Sequence, residues 1–374
     1  MCQFLCQNEP LIYLNAAGTS WPKPTAVLEE MMGVSQAPPE QAAARLDKAT
    51  AAVCQALGIP RRDRFLFTPG GTLALALAIG DLEFEPGDVV LTSALEHHAL
   101  ARPVEKLVRE RGVVHEVAGT SDAEPVHLER VAARLARGDV KLLAFTTASN
   151  VTGARLPVRE LTELARRHGV LSLLDAAQTV GLDPTPLPEL GADIVTFTGH
   201  KAAHGPHGIG GLWAKEHVRF ASPQAVCELG GGRSDCSPFP SYCDVGSVNL
   251  AGAAGLAQGL IWAHARERQR RWTHAIELAE ALAREVCKRP QVTLCGSVNA
   301  KRIAIVSMRL PLARLERAER HFAERGLFVR AGQHCAPMAL AALGAPEGTL
   351  RASFGPGNRT ADLDAFLDAL DALL

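Results

Sequence analysis

From about residue 63 to residue 215, short apolar runs alternate with stretches of helical periodicity, and this alternation constrains the fold more than any other feature of the chain. Phe65–Thr68, Val89–Thr92, Val113–Val117, Lys141–Thr146, Val170–Leu174, Ile194–Thr198 and Gly208–Trp213 read as strands. Between them Pro103–Arg111, His127–Arg137 and Val158–His168 carry apolar residues at helical spacing. Strands that are apolar on both faces, with helices between them, predict an α/β fold: a mostly parallel seven-stranded sheet with helices on both faces. A long helical stretch is expected over roughly 251–288. A smaller α+β unit follows, with strand Ile303–Met308, helix Leu312–Gly326, strand Leu327–Val329 and a last helix over Ala361–Leu373. The expected domains are 13–255 and 256–374. The N-terminal segment 1–60, with helices Thr25–Met32 and Gln41–Leu57, is expected to pack beside the smaller one.

A chain of 374 residues can bury the cores of two such units. Its 39 basic and 40 acidic residues are dispersed and leave a formal net charge of −1, which argues against nucleic acid or an anionic membrane as a partner. No apolar run reaches the length of a membrane span. Met1-Cys2-Gln3-Phe4-Leu5-Cys6 lacks the basic start and apolar stretch of a signal peptide, so a cytoplasmic protein is expected. Nine irregularly spaced cysteines argue against a disulfide framework. Cys227, Cys236 and Cys243 lie close together, but their spacing matches no common zinc pattern, and no metal site is expected.

In a parallel open sheet the ligand crevice lies beyond the carboxyl ends of the strands, where the reactive residues of this chain cluster. Pro69-Gly70-Gly71-Thr72 joins a strand to a helix N-terminus, which suits an anion such as phosphate but equally a plain tight turn. Glu96-His97-His98-Ala99 offers an imidazole that can stack on a planar cofactor or shuttle a proton, or a surface histidine pair. Asp175 ends a buried strand, where an acid requires a partner such as a protonated pyridine nitrogen, or caps the next helix. Thr198-Gly199-His200-Lys201 sets a hydroxyl, an imidazole and an amine in a row, and the amine is either a Schiff-base former or a solvated lysine. The glycines of Gly205-Pro206-His207-Gly208-Ile209-Gly210-Gly211 read as a hairpin. Cys335, between His334 and Ala336-Pro337 and shortly after Arg330, is a thiolate nucleophile or an inert buried thiol. Arg351, among small and apolar residues, suits a substrate carboxylate or a structural ion pair. A lysine amine and a thiolate together suggest pyridoxal-phosphate chemistry on a sulfur-containing amino acid.

Taken in order, Gly-Gly-Thr, Glu-His-His-Ala, Ala-Ser-Asn-Val-Thr-Gly, Asp-Ala-Ala-Gln, Gly-His-Lys, Arg-Ala-Gly-Gln-His-Cys-Ala and Arg-Ala-Ser resemble the cysteine desulfurases of the class V aminotransferase family. These are fold type I pyridoxal-phosphate enzymes, and the likeness runs from Tyr13 to the C-terminal helix. The compact cysteine region resembles the group II branch, which includes selenocysteine lyases. The resemblance implies pyridoxal 5'-phosphate held covalently by Lys201, with Asp175 on its ring nitrogen, Gln178 on its ring hydroxyl and His97 stacked on the ring. It implies Thr72, Thr198, His200 and the Gly71 amide on the phosphate, and Asn150 and Arg351 on the substrate carboxylate. It implies attack by Cys335 on the sulfur of L-cysteine, leaving a persulfide and alanine, with a sulfur-acceptor protein downstream. It also implies a homodimer in which Ser247, in Gly246-Ser247-Val248-Asn249, reaches the other subunit's phosphate.

Three segments depart from the family pattern. The usual Leu-Asp-Asn-Ala-Ala opening reads Leu14-Asn15-Ala16-Ala17-Gly18, the stretch Pro38–Arg45 lacks a histidine, and Cys227–Cys243 follows no consensus. They bear on substrate entry and acceptor docking. The competing readings are a selenocysteine lyase or another pyridoxal-phosphate C–S lyase, transaminase or epimerase, and a catalytically idle sulfur carrier. Retention of Cys335 argues against enzymes that need no thiol, and retention of Lys201 and Asp175 argues against the idle carrier.

Overall fold

The computed structural model describes residues 11–119, 125–220 and 248–374. The chain opens with β1 (Ile12–Tyr13), α1 (Thr25–Ser35) and α2 (Ala42–Ala56). Alternation then sets in with β2 (Phe65–Thr68), α3 (Gly71–Gly80), β3 (Val89–Thr92), α4 (His98–Arg111), β4 (Val114–Val117) and α5 (Leu128–Leu135). It continues through β5 (Val140–Thr146), α6 (Val158–Arg167), β6 (Leu171–Asp175), β7 (Ile194–Thr198) and β8 (Gly210–Ala214). Next come α7 (Leu250–His264), α8 (Arg266–Val286), β9 (Thr293–Leu294), β10 (Ile305–Arg309) and α9 (Leu312–Ala323). The chain closes with β11 (Leu327–Phe328), β12 (Arg330–Gly332), α10 (Pro337–Ala342), β13 (Thr349–Ser353) and α11 (Thr360–Leu373).

The strands β2 to β8 form one seven-stranded sheet in the order β2-β8-β7-β6-β5-β3-β4. Only β8 runs antiparallel to its neighbours, because the glycine-rich segment after β7 returns the chain beside it as a hairpin. The other pairs are parallel. Strand side chains alternate between two cores. Leu142 and Ala144 of β5 pack with Leu75 of α3 and Leu100 of α4, whereas Leu143 and Phe145 pack with the helices of the opposite face, including α2, α6 and α7. Helices therefore cover both faces, which is why the inner strands are apolar throughout.

The C-terminal unit has its own antiparallel sheet, β12-β13-β10-β9, and its own core of Leu278, Leu282, Met308, Phe322 and Phe366. From the N-terminal segment, β1 pairs with β11, and Leu14 and Ala17 join this core. By contrast, α1 and α2 pack against α7. The helical stretch expected over 251–288 is broken at Ala265, whose extended backbone (φ −58°, ψ 137°) separates α7 from α8. The break falls where an all-round apolar, buried helix meets an arginine-rich amphipathic one. It is pinned by Gln269 Nε2 donating to the Ala263 carbonyl at 2.8 Å and by Arg268 lying 4.4 Å from the Trp262 ring. Among the described residues no helix is long and apolar enough to cross a membrane.

Candidate active site

The strand ends deliver the reactive residues to one place. Asp175 is the last residue of β6, and Thr198 that of β7, with Gly199, His200 and Lys201 next. Asn150 follows β5, and His97 follows β3 as the residue that caps α4. Gly71 and Thr72 start α3 after Gly70, whose φ of 146° and ψ of 172° suit only a residue without a side chain. Apart from Gly70 and Gly199, these residues, with Gln178 and with Cys335 and Arg351 from the C-terminal unit, line a single cavity of about 530 Å³. A larger groove of about 1150 Å³ against α5 and α6 contains none of them. Ser247 lies outside the described residues, as do Cys227, Cys236 and Cys243. Among the described residues no three metal-ligating side chains converge.

The electrostatics of the floor follow from burial. Asp175 accepts one bond, from the Ala177 N–H at 2.9 Å, so one oxygen caps the local turn while the second stays available to the cavity. Burial raises its pKa, opposed by that bond and by Lys201. Burial pulls the Lys201 amine down to about 8, with Asp175 favouring and Arg351 disfavouring its charge. His97 Nδ1 accepts from the Ala99 N–H at 3.0 Å, so the proton of the neutral ring sits on Nε2. Burial first, then the charge of Lys201, lowers its pKa to about 3 and keeps the ring neutral. His200 is neutral for the same two reasons, at about 3, and its buried Nδ1 has no partner. Gln178 Nε2 donates to the Ala17 carbonyl at 3.3 Å.

The wall opposite is built on β12 and β13. His334 and Cys335 adopt left-handed backbone (φ 49° and 54°), a conformation costing non-glycine residues on the order of 1 kcal/mol each. Three bonds hold it. The His98 N–H donates to the Cys335 carbonyl and Asn150 Nδ2 to the His334 carbonyl, each at 2.9 Å, and His334 Nε2 meets Thr349 Oγ1 at 2.8 Å. The result is an exposed thiol at the mouth of the cavity, which sets aside the reading of Cys335 as a buried inert cysteine. Arg351, 4% exposed, donates from Nη1 to the Asn150 carbonyl at 2.9 Å and from Nη2 to Asn15 Oδ1 at 3.2 Å. Its Nε has no partner, and neither bonded acceptor is a carboxylate, so the ion-pair reading of Arg351 has no support among the described residues.

Several contributors had no role in the motif reading. Thr19 Oγ1, the Ser20 N–H and Lys23 Nζ all donate to the His200 carbonyl, at 3.0, 2.9 and 2.9 Å, fixing the loop that carries Lys201. Asn15 touches Arg351, and Glu96 is fully buried behind His97. Thr19, Ser20 and Lys23 follow directly on the Leu14–Gly18 opening, but nothing in that stretch of sequence names His200 as their partner.

An open α/β sheet with an amine, an acid and a helix N-terminus gathered at its strand ends defines a ligand-binding enzyme of the doubly wound class. The aminotransferase class-V pattern matches residues 12–366. A probable cysteine desulfurase of Pseudomonas aeruginosa is 34% identical, over 98% of this chain and 94% of that protein. Cysteine desulfurase CsdA of Escherichia coli is 30% identical, over 100% and 96% respectively. The apo structure of a cysteine desulfurase from Thermococcus onnurineus NA1 superposes with a TM-score of 0.87 at 27% identity, over 97% of this chain and 94% of that one. The chain belongs to the class V aminotransferase family, which implies pyridoxal 5'-phosphate as its cofactor.

Proposed function

We propose that this chain is a pyridoxal-phosphate-dependent cysteine desulfurase that converts L-cysteine to L-alanine and retains the sulfur on Cys335 as a persulfide. The observation that carries this reading is an exposed thiol facing the same cavity as Lys201, Asp175 and Arg351. The residues present fit the cofactor. Gly71 and Thr72, the first residues of α3, line the same cavity as His200, which keeps a buried nitrogen without a partner. Thr72, Thr198, His200 and the Gly71 amide would hold its phosphate, at the start of a ten-residue helix. Asp175 would face the ring nitrogen, Gln178 the ring hydroxyl and the neutral His97 the ring plane. When bound, the group supplies an electron sink for the substrate carbon.

The protein's own groups do the rest. Lys201 would anchor the cofactor and, as a free amine that burial lowers to about 8, hold or move a proton at Nζ. Arg351 and Asn150 bind the substrate carboxylate. The Cys335 thiolate attacks the substrate sulfur, and an S–S bond forms. The carbon–sulfur bond breaks with its electron pair left on carbon, and that carbon takes up a proton to become the methyl group of alanine. The separate C-terminal core supports a division into a large unit and a small one, read from the sequence as 13–255 and 256–374; Leu256, Ala257 and Leu260 of α7 pack in the large unit's core, which puts the boundary at the break at Ala265. A homodimer is supported by exposed Leu28, Met32 and Ile261 on the packed pair α1 and α7; Ser247, which the resemblance assigns to the neighbouring phosphate, lies outside the described residues. An exposed nucleophilic thiol suits the reducing cytoplasm and delivery to a sulfur-acceptor protein.

The test is to measure alanine and sulfide released from L-cysteine in the presence of reductant, for wild type and Cys335→Ala. Equal yields, lost in the variant, are expected. Pyruvate and ammonia unaffected by the substitution would make the protein a lyase instead, and no turnover of L-cysteine by cofactor-loaded protein would point to selenocysteine or another amino acid.

A further inference from the structure

The opening segment departs from the resembled pattern at Asn15, Ala16 and Gly18, and the fold sets Asn15 and Gly18 against each other beneath Arg351. The Asn15 backbone is pinned: its carbonyl accepts from the Gly18 N–H at 3.0 Å, and the flanking Ala16 N–H donates to the Ser353 carbonyl at 3.2 Å. Its Oδ1 accepts from Arg351 Nη2 at 3.2 Å. A Cβ on residue 18 would stand 2.9 Å from that oxygen and 3.0 Å from Nδ2, so the amide keeps its place only because residue 18 is glycine. The second bonded acceptor of the guanidinium is a backbone carbonyl, and its Nε has none. Arg351 is thus held on two sides by neutral oxygens. Asp175 is the only acid lining the cavity among the described residues, and its charge bears on Lys201. A buried guanidinium without a counter-ion is costly by itself and attracts an incoming carboxylate strongly. An aspartate at position 15 would have the same shape and would satisfy the same N–H, but it would neutralise the charge.

We infer that Asn15, seated by Gly18, is a positioning residue that aims Arg351 without neutralising it and so sets the affinity of the site for the α-carboxylate of its amino-acid substrate. This rests on the reading of Arg351 as the carboxylate-binding group. Asparagine at 15 supplies a hydrogen bond and withholds a charge, and Gly18 supplies the room.

The test uses cofactor-loaded enzyme, with L-alanine binding by calorimetry and the kcat and KM of L-cysteine turnover. Asn15→Asp should raise the Kd of L-alanine and the KM of L-cysteine by about 10- to 100-fold, with kcat changed less than about threefold. Asn15→Ala, which deletes the bond but adds no charge, should lose about three- to tenfold. That order is the discriminating readout, because a merely structural role would make the isosteric aspartate the milder change. Gly18→Ala, which displaces the amide, should weaken binding by a few-fold, and it decides the matter if Asn15→Asp fails to fold. Aspartate binding as well as wild type, or better than alanine at position 15, would overturn the inference, as would an unchanged Gly18→Ala. Arg351→Lys separates the two levels. Loss of binding in that variant with none in Asn15→Asp sinks this inference alone, and no loss in either removes the carboxylate from Arg351 altogether.

Discussion

Glu96 is a carboxyl taken out of water without a cation to meet it. Ser93 Oγ donates to Oε1, the Thr146 N–H donates to the same oxygen at 3.1 Å, and Oε2 has no partner. Burial pushes its pKa up to about 8, and the charge of Asp175 adds to the shift. The native protein therefore keeps a proton that the unfolded chain loses near pH 4.5, so this group's contribution to stability is fully present below that value. It falls as pH rises towards 8, on the order of 1 kcal/mol per pH unit for this one group, and levels off above. Glu96→Gln keeps the shape and removes the titration. Urea unfolding from pH 5 to 8 should show wild type losing stability relative to the variant, and parallel curves would mean that Glu96 is ionised in the folded state.

At the scale of elements, the junction of β2 with α3 is the most demanding turn of the site. Gly70 sits at φ 146°, with Thr198 Oγ1 at 4.0 Å from the position of a Cβ, so a side chain there meets space but not an allowed backbone. Gly70→Ala should cost about 1 to 3 kcal/mol of stability and shift the first amides of α3. A lowered melting temperature and faster loss of cofactor would show both effects, and an unchanged dissociation rate would exclude the turn from phosphate binding. The turn was legible as Gly-Gly-Thr after an apolar run, and β2, β3 and β7 were legible to the residue, because each is a short, largely buried β-rich run bounded by turn residues. Two kinds of element were not. Helix α4 starts at His98 rather than at Pro103, because the His97 ring caps it and the proline lies inside. Strand β13 was hidden because Arg351 interrupts its apolar run, and β12 because it is three residues long and ends in glycine.

For the molecule as a whole, the cavity draws its walls from both cores, so filling it stabilises more than one unit. Pyridoxal 5'-phosphate at a hundred times its Kd should add about 2.7 kcal/mol of stability, read as a rise in melting temperature that shrinks in Lys201→Ala; no shift in wild type would contradict the proposed cofactor. The motif residues were legible as members of one site because strand order carries them to one edge of the sheet. Their supports were not, because they act across the length of the chain. Ser20 reaches His200 over 180 positions and Asn15 reaches Arg351 over 336, distances at which no local pattern names a partner.

Asn150 ties these units together in a way that bears on turnover. Its side chain grips the loop that presents Cys335, and its carbonyl grips Arg351, while Arg330 and Arg351 stand opposite each other in one sheet. Thiol and guanidinium are therefore two fingers of one hand, hinged on one asparagine. In the proposed function, a tilt that carried the sulfur out to an acceptor would pull on the asparagine that also fixes the guanidinium, so handing on the sulfur and letting go of the amino acid would be a single gesture.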